Sequence, residues 1–249
     1  MVVGGTGRLG ARIAGRLAAR GWRVIVASRR GTYGQAGQRL AGGIDVCHPD
    51  QLMGLAELAA ARGRLAAWVN AAATTGPVGD SDQTTLAQWP QTLAVNLTGS
   101  AAGCAAAARF GAAGTAILNI SGGGATAPRP GVGAYAASKA AVVRHTETLA
   151  AEFSPAGVRV NALAPGAFAS DLWTEQLRSR EGPPPESEHV LDRAAACASW
   201  LLSDESRPLS GKLVAAQWDP WDTWCREDLI ALQDSDLLTL RRRAPEPRP

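Results

Sequence analysis

Gly4-Gly5-Thr6-Gly7-Arg8-Leu9-Gly10 is the stretch that decides the fold, and its flanks give it meaning. Met1–Gly4 reads as a short β-branched strand, and Gly10–Arg20 as an amphipathic helix rich in Ala, Leu and Arg. A glycine turn between a strand and a helix lets backbone come close to a pyrophosphate, while the helix N-terminus favours its negative charge. Gly4, Gly7 and Gly10 carry the Gly-x-x-Gly-x-x-Gly spacing, with Thr6, Arg8 and Leu9 between them. The pattern therefore reads either as a dinucleotide site or as a plain strand–helix turn that binds nothing.

Outward from that turn, short β-rich runs alternate with Ala-rich helical stretches. Strands are expected at Arg23–Ser28, Gly43–Val46, Leu65–Ala71, Thr115–Ser121, Val158–Ala164 and Lys212–Gln217, besides the first. Helices are expected at Asp50–Arg62, Leu86–Phe110, Ala134–Phe153 and Val190–Leu202. This alternation predicts right-handed βαβ crossovers and an α/β fold of Rossmann type: a doubly wound parallel sheet of about seven strands with helices on both faces. One domain is expected over 1–217, followed by a Trp-rich extension and tail over 218–249. Only Met1-Val2-Val3 precede the glycines, so either the first strand is short or the polypeptide begins upstream.

Composition narrows the classes. The 249 residues suffice for one large domain, and 28 glycines with abundant alanine suit close helix–sheet packing. A net charge of +3 is too small to argue for nucleic acid or a membrane surface, and Arg241-Arg242-Arg243 reads as a solvated tail. Cys47, Cys104, Cys197 and Cys225 show neither a C-x-x-C pair nor metal-ligand spacing, so no metal and a reduced cytoplasmic setting are expected. No apolar run approaches the ~20 residues that cross a bilayer.

Several positions carry chemistry. The second strand ends Ser28-Arg29-Arg30, where an acid would repel a 2′-phosphate and a guanidinium would grip it, so NADP is expected over NAD. Asp45-Val46, closing the expected third strand, would meet the adenine, and Asn70-Ala71-Ala72-Ala73 closes the fourth. Asn96 sits inside an expected helix, where it stabilises a kink or holds a water. Tyr135 and Lys139 lie four apart on one helix face, so the ammonium stands where it can favour the phenolate. Ser179–Glu188, with Pro183-Pro184-Pro185, reads as a mobile connection that is either a lid or a surface loop.

The glycine turn, Asn70-Ala-Ala-Ala73, Val95-Asn96-Leu-Thr-Gly99, Asn119-Ile-Ser121, Tyr135-Ala-Ala-Ser-Lys139 and Asn161-Ala-Leu-Ala-Pro165-Gly166 occur in that order. Together they resemble the short-chain dehydrogenase/reductase family from Met1 to about Ala215. The resemblance implies that Tyr135 moves the proton on the substrate oxygen, while Lys139 lowers its pKa and holds the nicotinamide ribose. It implies that Asn96 anchors a water linking Lys139 to solvent. Pro165-Gly166 would pass beside the nicotinamide carboxamide, with Ser170 near the pyrophosphate. It also implies a homodimer or homotetramer, for which Ala-rich helix faces are available.

One departure bears on the chemistry. The family's carbonyl-binding serine falls on Gly122, and Ser121 stands one residue earlier. Three readings stay open: the loop shifts so that Ser121 reaches the oxygen, backbone N–H groups of Gly122-Gly123-Gly124 replace the hydroxyl, or polarisation is lost. Trp218, Trp221 and Trp224 stand where the family ends its last strand with glycines, and read as an oligomer contact or a stacking wall for substrate. The expectation is an NADP(H)-dependent oxidoreductase interconverting a ketone and a secondary alcohol on a small polar or cyclic metabolite. The alternatives are a non-redox acid–base enzyme (cyclase, dehydratase or epimerase) and a catalytically silent NADP-binding protein.

Overall fold

The computed structural model describes residues 1–30, 38–173, 177–178, 180, 182 and 188–241. Pro183-Pro184-Pro185 and Arg242-Arg243 lie outside the described residues. Seven strands form one sheet in the order β3-β2-β1-β4-β5-β6-β7, every neighbouring pair parallel. They are β1 (Val2–Val3), β2 (Val24–Ala27), β3 (Gln38–Ala41), β4 (Ala67–Asn70), β5 (Ala116–Ile120), β6 (Arg159–Ala164) and β7 (Leu213–Ala215). The order reverses between β1 and β4, and ligands of open α/β sheets bind in the crevice at such a reversal, beyond the carboxyl ends of the strands.

Strand residues alternate between two helical layers because successive side chains point to opposite faces. Val2, Val69, Leu118 and Leu163 pack with Ile13 and Leu17 of α1 (Arg8–Ala19). The same cluster takes in residues of a late helix, Glu188–Leu201. Val3, Trp68 and Ile117 face the other way, onto Leu52 and Leu55 of α2 (Pro49–Ala61) and Cys104 of the helix Gly99–Phe110.

Two elements depart from the sequence reading. The third strand is Gln38–Ala41 rather than Gly43–Val46; Gly43 takes a left-handed φ of +73° and turns the chain instead. Pairing with β2 overrides the weak β-propensity of Gln-Arg-Leu-Ala. Asp45-Val46 therefore lies in a turn ahead of α2, where the Asp45 carboxylate accepts the Cys47 N–H at 2.9 Å.

The single helix expected over Leu86–Phe110 is broken into a 3-10 turn (Leu86–Gln88), α3 (Trp89–Leu93), a π-helical turn (Ala94–Thr98) and α4 (Gly99–Phe110). Further α-helices among the described residues include α5 (Gly133–Phe153), α6 (Glu188–Leu201) and α7 (Arg226–Gln233). No helix among the described residues is long and apolar enough to cross a membrane.

Candidate active site

The site is assembled at the carboxyl ends of β1, β4, β5 and β6, starting with the glycine turn. A methyl added to Gly4 (φ +79°) would stand 2.4 Å from the Ala72 amide nitrogen, and one on Gly10 would stand 2.4 Å from the Gly4 carbonyl oxygen. These glycines let β1, β4 and α1 meet. Gly7 differs, since a methyl there meets nothing nearer than 3.5 Å, so internal packing does not demand its glycine. Gly7 is also the N-cap of α1, with no side-chain cap and no acid in the first turn. The helix thus presents uncapped N–H groups, the arrangement that receives an anion.

Around the turn, the expected nucleotide residues fall into two groups. Ser28 Oγ donates to the Arg30 carbonyl at 2.6 Å, leaving Arg29 and Arg30 exposed at the end of β2. The Arg29 charge helps hold the Asp45 carboxyl below its usual value, after the larger contribution of the Cys47 N–H. Val46 packs under Gly99, where a methyl would come within 2.8 Å of its Cβ. Pro165 accepts from Gln217 Nε2 at 2.9 Å, and Gly166 has φ +94° with Gln217 Cγ only 2.6 Å from where a methyl would stand.

Arg8 and Asn70 are directed elsewhere. Arg8 donates to the Ala169 carbonyl and pairs with Glu188, which draws the chain beside Ser170 toward the start of α1. Asn70 turns its amide into the core. It accepts from Trp68 Nε1 at 2.7 Å and donates to Asn119 Oδ1 at 2.8 Å, and Asn119 donates on to Thr146 Oγ1. Asn70 Nδ2 also donates to the Ser100 carbonyl of α4 at 3.2 Å, so that buried chain ties β4, β5, α4 and α5 together; the Asn70 side chain does not line the crevice.

Tyr135 lies in the first turn of α5, its hydroxyl 3.2 Å from where a side chain on Gly122 would begin. Lys139 is buried one turn later, with Nζ 5.5 Å from the Tyr135 ring centroid and donating to the Ile120 carbonyl at 2.9 Å. Burial pulls the Lys139 ammonium down to about 8. Burial pushes the Tyr135 phenol above its usual value, opposed by the positive charge of Arg129. Ser121 is buried and its hydroxyl donates to the Lys139 backbone carbonyl at 3.2 Å; among the described residues no hydrogen bond joins it to Tyr135. No hydrogen bond from the backbone N–H groups of Gly122, Gly123 or Gly124 is found among the described residues.

Asn96 occupies the π-helical turn, so the residue that disfavours an α-helix sits where the helix is interrupted. Its amide accepts from Thr74 N at 2.8 Å and donates to Thr74 O and to Ser138 Oγ, both at 2.9 Å. Ser138 donates in turn to the Tyr135 carbonyl at 2.7 Å. Asn96 thereby clips the loop after β4 to the turn of α5 that carries the tyrosine. Three contributors escaped the sequence reading: Arg129, Ser138 and Gln217. Only Arg129 left a signal, a cation between Pro128 and Pro130 six residues before the tyrosine.

The tryptophan expectation is corrected for one of the three residues, Trp221. Trp221 and Trp224 pack at a tilt against Trp200 of α6, with centroids 5.7 and 6.0 Å apart, and Arg193 covers the Trp221 ring. Trp221 belongs to the core, and Trp224 packs half-buried against it. Trp218 alone stays exposed, at 71 %.

Comparisons with known proteins bear on the fold and the family. The family model described as enoyl-(acyl carrier protein) reductase matches residues 6–217. The chain is 34 % identical over 159 residues to 3beta-hydroxysteroid dehydrogenase 1 of Eggerthella lenta, covering 58 % of this chain and 59 % of that protein. It thus spans less than two thirds of that relative's length. It is 30 % identical over 239 residues to dehydrogenase/reductase SDR family member 4 of Homo sapiens, covering 86 % and 84 % of the two chains. A short-chain dehydrogenase from Burkholderia cenocepacia J2315, solved in complex with NADP, superposes with a TM-score of 0.74 at 30 % identity, over 86 % of this chain and 94 % of that one.

Proposed function

The chain belongs to the short-chain dehydrogenase/reductase family of oxidoreductases, and from that premise we propose that it interconverts a ketone and a secondary alcohol on a small polar or cyclic metabolite, using NADP(H). The observation that carries the proposal is the Tyr135 hydroxyl, 3.2 Å from where a side chain on Gly122 would begin beyond the end of β5, with Lys139 Nζ 5.5 Å from its ring centroid.

The residues present fit the cofactor. Gly7 and the uncapped start of α1 would take the pyrophosphate, helped by Ser170; Arg29 and Arg30 would take a 2′-phosphate, beside Ser28. Asp45 and Val46 would line the adenine side, Ala71 and Ala72 the adenosine, and Pro165 and Gly166 the nicotinamide. The bound cofactor supplies or accepts the hydride.

The chain's own residues handle the proton. With its pKa raised, Tyr135 holds its proton at neutral pH and can give it to a carbonyl oxygen that is being reduced. The positive charges of Lys139 and Arg129 stabilise the phenolate that develops. Asn96, through Ser138, keeps the turn bearing Tyr135 in place. Because Ser121 is committed to the Lys139 carbonyl, polarisation of the substrate oxygen falls to the N–H groups of Gly122-Gly123-Gly124, which glycine leaves unobstructed. A homodimer or homotetramer goes with this reading.

The missing hydroxyl at position 122 favours one second reading, in which Tyr135 performs non-redox proton transfer on the same scaffold. Nicotinamide absorbance with NADPH and a panel of small ketones separates the two, since only the first consumes NADPH. For cofactor choice, Arg29→Ala should weaken NADPH at least about tenfold while sparing NADH; equal loss of both contradicts the assignment.

A further inference from the structure

Far from the crevice, at the amino ends of β5 and β6, a concavity of about 460 Å³ is lined by Ala113, Gly114, Gly157, Arg159, Arg207 and Pro208. Arg159 opens β6 and Ala164 closes it, so the length of the strand separates this place from the Tyr135 site. Its floor is the crossing of two glycine turns, where Gly114 N–H donates to the Gly157 carbonyl at 2.9 Å.

Three arginines converge on it. A terminal nitrogen of Arg207 and one of Arg64 stand 2.8 and 2.9 Å from the same point, where a side chain on Gly114 would begin. Gly114 has φ +86°, so the turn and the space beneath both guanidinium groups require glycine. Arg64 donates to the Ala113 carbonyl, and Arg207 pairs through Nε with the exposed Asp204.

Arg159 lies deeper. Its terminal nitrogens donate to Ser206 Oγ and to the carbonyls of Leu201, Ser203 and Leu209. Its buried Nε has no acceptor among the described residues, and no carboxylate forms an ion pair with it there. Burial, with the like charge of Arg207, pulls Arg159 down to about 10. Among the described residues, Asp204 is therefore the one acid that ion-pairs with any of these three guanidinium groups, and a concave wall focuses such a field on its mouth.

We propose that this concavity binds the phosphoryl group of a small phosphorylated metabolite, gripped by Arg64 and Arg207 over Gly114 with Arg159 supplying charge from beneath. Guanidinium forks match phosphate oxygens bidentately, and two of them side by side over one glycine suit a compact dianion held on their outer face. Pro208 and Ala113 provide a short apolar wall for the group that carries the phosphate. The site is independent of the nucleotide crevice and of any reading of the reaction there.

The test is calorimetric titration of the full chain with inorganic phosphate and with phenyl phosphate. Saturable binding is expected, tighter for phenyl phosphate, and weakened at least about tenfold by Arg64→Ala or Arg207→Ala, both surface changes. Ala113→Asp, which places a carboxylate on the exposed rim, should abolish it, whereas Arg29→Ala should leave it unchanged. The proposal is overturned if neither probe binds, if binding survives the Arg64, Arg207 and Ala113 changes, or if Arg29→Ala removes it, which would assign the phosphate to the nucleotide crevice.

Discussion

Lys139 is a buried ammonium with no carboxylate paired to it among the described residues; its Nζ donates to the Ile120 carbonyl. Its fall from 10.5 to about 8 corresponds to a folding penalty of about 3 kcal/mol at neutral pH. The folded chain binds fewer protons than the unfolded one between these values, so this residue's contribution to stability improves as pH rises through that window. Activity should move the other way. Turnover in the reductive direction should fall with a midpoint at about 8, as Lys139 loses the charge that stabilises the phenolate. A profile that stays flat well above that midpoint would remove Lys139 from the proton-handling unit. A joint role for Tyr135 and Lys139 was suggested only by the motifs around them, but that they share a helix face was legible from their i,i+4 spacing. The direction of the tyrosine's shift was not, because burial of a phenol depends on what a loop such as Ser121–Gly124 lays over it.

At the scale of elements, the glycine turn and most strands were legible because their apolar runs and breakers lie close together in sequence. The third strand was misplaced because its pairing with β2 is a tertiary contact that Gln-Arg-Leu-Ala does not advertise. The break in the long helix had one sign, an asparagine in mid-pattern, and the structure puts a π-helical turn around it. Gly103 is a sharper case. A methyl there would stand 2.1 Å from Asn70 Oδ1 and 2.8 Å from Trp68 Nε1, both inside the buried polar chain joining α4 to β4. Gly103→Ala should therefore destabilise the fold by about 1–3 kcal/mol or more, through overpacking and a strained hydrogen bond. Urea denaturation checks this, and an unchanged midpoint would show that α4 can move off the sheet freely.

Across the whole molecule, the stretch after β7 was the least legible, because nothing in Trp-Asp-Pro-Trp-Asp-Thr-Trp says whether its rings point in or out. The structure shows that Trp221 and Leu229 are buried in the cluster that holds Ile13 and Leu163. Lys212, itself buried, donates to the carbonyls of Ser235 and Leu237, and the Leu213 N–H pairs with the Leu238 carbonyl along the free edge of β7. Truncation after Gln217 strips these partners together. It should cost more than about 5 kcal/mol, the loss of a large buried aromatic plus a stranded buried ammonium. A truncated chain that unfolds cooperatively at the full-length midpoint would make the segment an appendage. The oxidoreductase reading rests on proton transfer by one side chain, so the most direct measurement is NADPH consumption on any ketone the intact chain turns over, compared between wild type and Tyr135→Phe. The account expects turnover in the wild type and a loss of about 10²–10⁴ in the variant with NADPH affinity unchanged. Equal rates in the two proteins, or tight NADPH binding with no turnover on any ketone, would contradict it.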